Sequence, residues 1–334
     1  MDNYLGRTIK NDLINAYGVT VIPAKSKLNV EHLELIRKQR IDVIDIIFMD
    51  EAEQAPPYQQ MVNSVVDSSK ELFESYRISR KIQLADIRKD VVPVIQEISR
   101  NPDIFALFSS VQGKDDYTYQ HNVGVGVLST LIGRWLHMNE ADLSVLSTAA
   151  TLHDVGKLKI PNEILNKPGK LTEEEFSLVK KHTIYGYEML KETTGANSRI
   201  TLAALQHHER NDGKGYPLGL KDEQIDSYSK IIAVADIFHA MSSKRPYHEA
   251  MPFHMIVDQM RRGSFGALDP HIVSVFLENI VKRTVGREVV LTDGRVGEIV
   301  YLNPHDIETP LIRINDEYID LSKIKELNIR EITI

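Results

Sequence analysis

The stretch Leu152-His153-Asp154-Val155-Gly156-Lys157 carries the most informative chemistry in the sequence. His153 offers a nitrogen ligand and Asp154 an oxygen ligand, and the chain has 0 cysteines that could supply thiolates instead. Because neighbouring side chains diverge and a carboxylate has two oxygens, this pair can serve two metal ions, with Asp154 between them. The stretch therefore predicts a metal site built from nitrogen and oxygen ligands.

The composition is typical of a soluble protein of two or three domains, with 334 residues, 42% hydrophobic and 26% charged. No apolar run approaches the roughly 18 residues of a membrane span, and Met1–Lys10 lacks the apolar segment of a secretory signal. A net charge of −7 argues against broad binding to a nucleic acid polymer, but not against a small phosphorylated ligand in a local basic pocket. We therefore expect a cytoplasmic protein with no membrane segment.

Apolar residues at helical spacing predict several amphipathic helices after residue 117. In these helices a histidine or an aspartate continues the apolar face: His121, His153, His182, His207 and Asp236. A single buried histidine is usually a hydrogen-bonded core residue, but uncompensated burial of so many polar groups would cost too much free energy. With the adjacent Asp154 and His208, these residues are the candidate metal ligands.

Local signals mark two helix boundaries. Gly156 follows the helix that carries Leu143, Leu146 and Ala150, and it is predicted to be the C-cap of that helix. Thr172-Glu173-Glu174-Glu175 is a capping box, which predicts the start of the next helix.

The fold class is mainly α, with small modules at both ends of the chain. The predicted regions are, in order, a small α/β lobe (1–53), a helical connector or regulatory region (54–114), a helical bundle (115–284) and a small β module (285–334). The first region has strands predicted at 18–23 and 41–48 around a helix capped by Asn29. The last region has a hairpin around Asp293-Gly294 and forms a sheet or a partly closed barrel.

The His153-Asp154 pair and the later segment 207–217, which ends in Gly215-Tyr216-Pro217, resemble the HD-GYP family of HD-domain metal-dependent phosphohydrolases. Further matching segments are Ile160-Pro161, 167–172, 234–236 and 243–247. The resemblance covers residues 115 to 282, approximately the predicted bundle. It implies an HD-type helical catalytic domain that hydrolyses cyclic di-GMP to pGpG, and in some members onward to GMP.

The resemblance also implies a dinuclear metal site with a bridging hydroxide. Its ligands would be His121, His153, Asp154, His182, His207, His208 and Asp236, with Asp154 as the bridge. Fe or Mn suits such ligands, and Zn, Ni or Co would also fit. Lys157 would hold the scissile phosphate in catalysis; the alternative is a solvated cation at a helix C-terminus.

The substrate contacts implied by the resemblance are Arg210, Gly215, Tyr216, Pro217 and Arg245. Glycine lets a backbone approach a ligand closely, tyrosine can stack on a base, and a guanidinium suits guanine or phosphate. The alternatives are an ordinary turn at 213–217 and surface salt bridges for the two arginines.

Two positions depart from the pattern of the family. Tyr117 stands where some members have the glutamate that supports a third metal, so we expect two metals and pGpG as the product. Asp115 and Asp116 are less favoured substitutes for that glutamate. His239 replaces the usual second acidic residue, which makes it a candidate supporting group behind the ligands.

Three functions stay open on the sequence. The leading hypothesis is a cyclic di-GMP phosphodiesterase. The alternatives are a phosphodiesterase for another cyclic dinucleotide and a non-catalytic cyclic di-GMP sensor. The helices between residues 59 and 115 are candidates for a homodimer interface or for a cover over the site.

Overall fold

The protein is mainly α-helical, as the sequence predicts. The computed structural model describes residues 4–9, 12–15, 19–39, 41, 46, 58–79, 81–100, 117–243, 251–262, 268–303, 306–324 and 326–332. The main helices are α1 (Val30–Lys38), α2 (Tyr58–Ser79), α3 (Val92–Ile98), α4 (Tyr117–Trp135), α5 (Glu140–Thr151), α6 (Asn162–Leu165), α7 (Glu173–Lys180), α8 (His182–Lys191), α9 (Ser198–Gln206), α10 (Ser227–Ser242), α11 (Phe253–Arg261) and α12 (Pro270–Lys282). The strands are β1 (Leu13–Ile14), β2 (Thr20–Ile22), β3 (Glu288–Leu291), β4 (Val296–Asn303), β5 (Asp306–Ile314), β6 (Glu317–Asp320) and β7 (Ile329–Ile332).

The N-terminal lobe has a hydrophobic core of its own. Strands β1 and β2 pair antiparallel, and α1 begins at the predicted cap, where the Asn29 side chain accepts from the amide of His32 at 2.8 Å. Ile9, Ile22 and Ile36 are fully buried in this core. The predicted strand at 41–48 falls almost entirely outside the described residues.

A helical segment connects α2 with the bundle. Leu84–Asp86 leads into a π-helical turn at Ile87–Val91 and then into α3, which has Pro93 in its first turn. Proline is tolerated there because the amide it lacks has no partner within the helix. The hydroxyl of Tyr119 on α4 donates to Glu74 Oε1 on α2 at 3.0 Å, so α2 contacts the helix that carries His121, and α3 packs against the same helix.

The bundle surrounds one large core. Helix α4 packs between α5 and α10, and α8 packs against α9. The apolar face predicted for α4 is buried, as Val125, Leu128 and Ile132 show. None of the helices that the structure describes combines the length and the apolar composition needed to cross a membrane.

The predicted C-cap at Gly156 is wrong. Helix α5 ends at Thr151, and Gly156 lies inside a 3₁₀ turn that spans Val155–Lys159. A β-carbon on Gly156 would lie 1.9 Å from the carbonyl oxygen of His182 and 2.5 Å from the amide nitrogen of Gly186. The glycine is therefore needed for close packing against α8 rather than for a left-handed cap. The capping box at Thr172 and Glu175 is confirmed at the start of α7.

The C-terminal module is an open antiparallel sheet with strand order β6-β5-β4-β3-β7. Its first hairpin turns at Asp293-Gly294, where Gly294 has a φ of 90°, as the sequence predicts. Strand β7, which completes the sheet beside β3, was not predicted. His254 Nδ1 on α11 hydrogen-bonds the carbonyl oxygen of Ile329 on β7, and this links the sheet to the bundle.

Candidate metal centre

Seven candidate ligands from separate parts of the chain form one cluster around Asp154, which is itself one of them. They are His121 on α4, His153 and Asp154 after α5, His182 at the start of α8, His207 and His208 after α9, and Asp236 on α10. All except the partly buried His208 are buried. Helical register brings His121, His182 and Asp236 into the interior, as the sequence predicts, whereas the other four residues lie in the turns that directly follow α5 and α9.

The two oxygens of Asp154 face different sets of histidines. Oδ2 lies 3.4 Å from His153 Nε2 and 3.8 Å from His121 Nε2. Oδ1 lies 3.2 Å from His182 Nε2 and 3.7 Å from His207 Nε2. Asp154 thus stands between two groups of nitrogen ligands.

Each group is compact enough to hold one cation. In the first group, one ligand atom each from His121, His153 and Asp154 lies within 4.8 Å of the others. In the second group the same holds for Asp154, His182, His207 and His208. Asp236 adjoins both groups, with Oδ1 3.0 Å from His121 Nε2 and Oδ2 3.9 Å from His208 Nδ1.

Backbone carbonyls orient three of the imidazoles. Nδ1 of His153 donates to the carbonyl oxygen of Ala150 at 2.7 Å, and Nδ1 of His182 donates to the carbonyl oxygen of Val179, also at 2.7 Å. Nδ1 of His207 faces the carbonyl oxygen of Ala203 at 3.0 Å. Since a carbonyl can only accept, Nδ1 carries the proton and the lone pair of Nε2 points into the site.

The buried polar atoms fit a divalent cation. His153 Nε2 and Asp154 Oδ1 are buried without a hydrogen-bond partner, which is costly unless an ion satisfies them. The Nε2 atoms of His182 and His207 face each other at 3.2 Å, and both rings are oriented by carbonyls on their Nδ1 side. Two facing lone pairs repel unless a cation or a proton lies between them. The cluster is therefore compatible with divalent metal binding.

The electrostatics keep His207, His208 and Asp154 in the protonation state that a metal requires, whereas at His153 the neighbouring carboxylate of Asp154 outweighs burial and raises the pKa. Burial, together with the neighbouring His208, holds the pKa of His207 well below its usual value. Burial also lowers the pKa of His208 to about 3. Burial alone would raise the pKa of Asp154, but Lys157 and His153 outweigh it and hold that pKa well below the usual range. At neutral pH these two imidazoles are neutral and the carboxylate is ionised, which are the metal-binding forms.

Lys157 lies at the edge of this cluster. It belongs to the 3₁₀ turn after Asp154, and its Nζ forms an ion pair with Asp154 Oδ2. Its side chain is 28% exposed, whereas that of Asp154 is 2% exposed. The Lys157 side chain therefore reaches from the buried carboxylate to solvent, and this solvent-facing side of the cluster is called the opening of the site.

A loop after His208 covers one side of the cluster. The ring of Tyr216 packs on that of His208, with centroids 4.7 Å apart and planes 32° apart. The Tyr216 amide also donates to the His208 carbonyl oxygen at 3.2 Å. At Gly215 a β-carbon would lie 2.4 Å from the amide nitrogen of Arg210, so the loop folds back on itself too closely for any side chain.

Glu209 holds this loop in place, a role that the sequence did not predict. Its buried carboxylate accepts from the amide of Leu218 at 2.6 Å and from that of Leu220 at 2.9 Å. A charged residue directly after the candidate ligands His207 and His208 was the signal that could have revealed it, since a carboxylate buried beside them needs partners.

The remaining predicted residues are less closely connected to the cluster. Arg210 lies beside Asp212, with Nε 3.9 Å from Oδ1, and its side chain is 38% exposed. Pro217 follows Tyr216 in the loop through a cis peptide bond. Arg245 lies outside the described residues, as do Asp115, Asp116 and the side chain of Tyr117.

The same part of the chain matches a known family. A model described as the HD domain matches residues 106–272, which are 167 of the 334 residues and so half of the chain. The chain belongs to the HD-domain family. The resemblance drawn from the His153-Asp154 pair and the segment 207–217 is confirmed. The HD-domain fold is also found in an HDG"Y"P protein of Bdellovibrio bacteriovorus, with a TM-score of 0.55 and 17% identity over 84% of this chain and 97% of that one.

Curated relatives of this HD-domain protein are cyclic dinucleotide phosphodiesterases. The cyclic di-GMP phosphodiesterase PA4108 of Pseudomonas aeruginosa is 32% identical over 73% of this chain and 58% of its own length. A cyclic di-GMP phosphodiesterase of Thermotoga maritima is 40% identical over 49% of this chain and 45% of its own length. The 3'3'-cGAMP-specific phosphodiesterase 3 of Vibrio cholerae is 41% identical over 48% of this chain and 35% of its own length. The chain thus spans less than two thirds of each of these relatives.

Proposed function

We propose that this protein is a metal-dependent phosphodiesterase that hydrolyses cyclic di-GMP to pGpG. The observation that carries the proposal is the position of Asp154, whose two oxygens face two separate groups of histidines. The relatives from Pseudomonas aeruginosa and Thermotoga maritima, both cyclic di-GMP phosphodiesterases, support the choice of substrate.

The two groups would hold two divalent cations, with Asp154 shared between them. His121, His153 and Asp236 would complete the first site, and His182, His207 and His208 the second. Fe or Mn suits these nitrogen and oxygen donors, and Zn, Ni or Co would also fit. When bound, such a pair of cations supplies an activated water at neutral pH and neutralises charge on the phosphate.

The residues of the chain would hold the substrate around this centre. Lys157 would bind a non-bridging oxygen of the scissile phosphate, because its ammonium lies at the opening beside Asp154. Tyr216, packed on His208, would place its ring and hydroxyl against the nucleotide at the edge of the site. Gly215 and Pro217 would shape this loop, and Arg210 would contact guanine or phosphate.

The product would be pGpG rather than GMP. Tyr117 occupies the position of the glutamate that supports a third metal in some HD-GYP members, and tyrosine is a poor ligand for a divalent cation unless it is deprotonated. With two cations, hydrolysis would stop after the first phosphodiester.

The proposal is tested by product analysis on the full chain. Protein loaded anaerobically with Fe(II), or with Mn(II), should convert cyclic di-GMP to pGpG, as measured by liquid chromatography. Asp154→Ala should abolish turnover and metal binding, while the exposed Asp67 on α2 provides a matched control in Asp67→Ala. Wild-type protein that binds metal but gives no product with any of the five metals would overturn the enzymatic function.

A second candidate substrate is 3'3'-cGAMP. It is favoured by the relative from Vibrio cholerae, which is specific for that dinucleotide and is 41% identical to this chain over 160 residues. Competition between cyclic di-GMP, 3'3'-cGAMP and cyclic di-AMP, scored by kcat/KM, would identify the preferred substrate. Tight binding of cyclic di-GMP without product would instead indicate a sensor.

A further inference from the structure

A buried histidine lies directly behind one of the candidate ligands. His239 is on α10, one turn after Asp236, and its Nδ1 is 3.0 Å from Nδ1 of His121. The rings meet edge to face, with centroids 5.0 Å apart. Both side chains are 4% exposed, so bulk water does not separate them.

Helix α4 has a glycine where this ring fits. A β-carbon on Gly124 would lie 2.2 Å from His239 Nε2 and 2.4 Å from its Cδ2. Any larger residue at this position would displace the imidazole. Gly124 and His121 are three residues apart on the same helix, so the slot and the ligand lie on one face.

The contact between the two Nδ1 atoms requires that one ring donates and the other accepts. The other oriented ligands, His153, His182 and His207, use backbone carbonyls on Nδ1, which can only accept. An imidazole can take either role, because its proton can reside on either nitrogen. The protonation pattern of His121 is therefore coupled to that of His239.

Cation binding selects one of the two patterns. When His121 binds through Nε2, which faces Asp236, its proton must reside on Nδ1. Nδ1 of His239 must then accept that hydrogen bond, and the proton of His239 must reside on Nε2. Ser243 Oγ lies 3.3 Å from the same Nδ1 and can also donate to it.

We propose that His239 is a positioning residue that sets the tautomer of His121, and through it the affinity of the first metal site. This inference rests on the proposed ligand role of His121. It adds that the two metal sites differ in their dependence on His239, which the ligand set alone does not imply. His239 contacts His121 of the first site, whereas two imidazoles of the second site are oriented by backbone carbonyls instead. His239 therefore acts on one cation of the pair.

The test compares His239→Asn with His239→Leu. Asparagine and leucine have nearly the same shape, but only asparagine has an acceptor close to the position of Nδ1. Zn(II) binding to the full chain would be measured by calorimetric titration and by competition with a chelator. In the Leu variant, one of two sites should weaken by about 10–100-fold, which is the usual effect of losing such a supporting group. The Asn variant should restore most of that loss.

A spectroscopic measurement tests the tautomer itself. In ¹⁵N-labelled, Zn(II)-loaded protein, a long-range ¹H–¹⁵N correlation NMR spectrum should show His239 protonated on Nε2 and unprotonated on Nδ1. Gly124→Ala removes no polar side chain, but its added methyl group displaces the imidazole of His239. It should therefore weaken the same metal site as His239→Leu. Far-UV circular dichroism and thermal melting would verify that each variant is folded.

The outcomes separate this inference from the proposed function. If the wild type binds neither Zn(II) nor Mn(II) nor Fe(II), the metal centre itself fails, and this inference fails with it. If the wild type binds two Zn(II) ions and folded His239→Leu binds both equally well, only the role of His239 is refuted. Equal weakening of both sites, or no difference between Leu and Asn, would also overturn it.

Discussion

A β-carbon on Gly156 would lie 1.9 Å from the carbonyl oxygen of His182, so the two backbones are in direct contact where the 3₁₀ turn after α5 meets α8. His182 is a candidate ligand, and Asp154 is two residues before the glycine. This one contact therefore sets the separation of the shared carboxylate from the second group of ligands.

Gly156→Ala should lower the stability of the protein and its metal affinity together. The added methyl group forces the turn away from α8, and such overpacking costs about 1–3 kcal/mol or more. Thermal melting and Zn(II) titration would measure both losses. Gly186→Ala is the matched control, because its β-carbon would lie 3.2 Å from that of Ala204 and 3.3 Å from the amide nitrogen of Gly156, contacts that a shift of a few tenths of an ångström would relieve. Similar melting temperatures for the two variants would contradict the prediction.

Lys157→Gln should reduce kcat on the order of 100-fold, because it removes a charge that stabilises the phosphate in the transition state. The metal content should stay unchanged, since Lys157 is not a ligand. Lys159→Gln is the control: it lies in the same 3₁₀ turn, but its exposed ammonium lies 5.5 Å from the ring centroid of Tyr185. If Lys157→Gln and Lys159→Gln had the same kcat, Lys157 would be a solvated cation that does not act on the phosphate.

Glu209→Gln should raise the KM for the dinucleotide and leave the metal stoichiometry at its wild-type value. A glutamine offers one acceptor where the amides of Leu218 and Leu220 now find two, so one of these amides loses its hydrogen bond at a cost of about 1 kcal/mol. Steady-state kinetics and melting would measure these effects. Glu223→Gln, on an exposed residue beyond the same loop, should behave as wild type. A wild-type KM in Glu209→Gln would show that the loop does not contact the substrate.

Metal binding should stabilise the folded chain. The ligands come from five separate segments, so the unfolded chain cannot assemble the site. A free Mn(II) concentration about 100 times the dissociation constant should then add about 2.7 kcal/mol to the free energy of unfolding. The melting temperature should rise with Mn(II) and fall with a chelator. Asp154→Ala should show neither change, and a comparable rise in that variant would indicate binding elsewhere.

The candidate ligands could be predicted because helical periodicity is a local property. A side chain that continues an apolar face must point inward, and this places His121, His182 and Asp236 in the interior without knowledge of the tertiary fold. The capping box at Thr172 and the hairpin at Asp293-Gly294 were equally local, and both were correct.

The contacts that the sequence did not predict are long-range. Gly156 resembles a helix cap in sequence, but its role depends on α8, which begins only at His182. The contact of His239 with His121 joins residues that are 118 positions apart. The hydrogen bonds of Glu209 depend on how its loop folds back. In each case the partner is chosen by the packing of helices, which local patterns do not contain.

The distribution of the hydrophobic cores has a consequence for how the chain unfolds. The core of the bundle continues into the C-terminal sheet through Val289 and Ile312, whereas the N-terminal lobe encloses its own set of apolar side chains. Residues that share one core tend to unfold in a single cooperative step. The sheet and the catalytic bundle should therefore melt as one unit, and the N-terminal lobe should melt in a separate transition that metal binding does not shift.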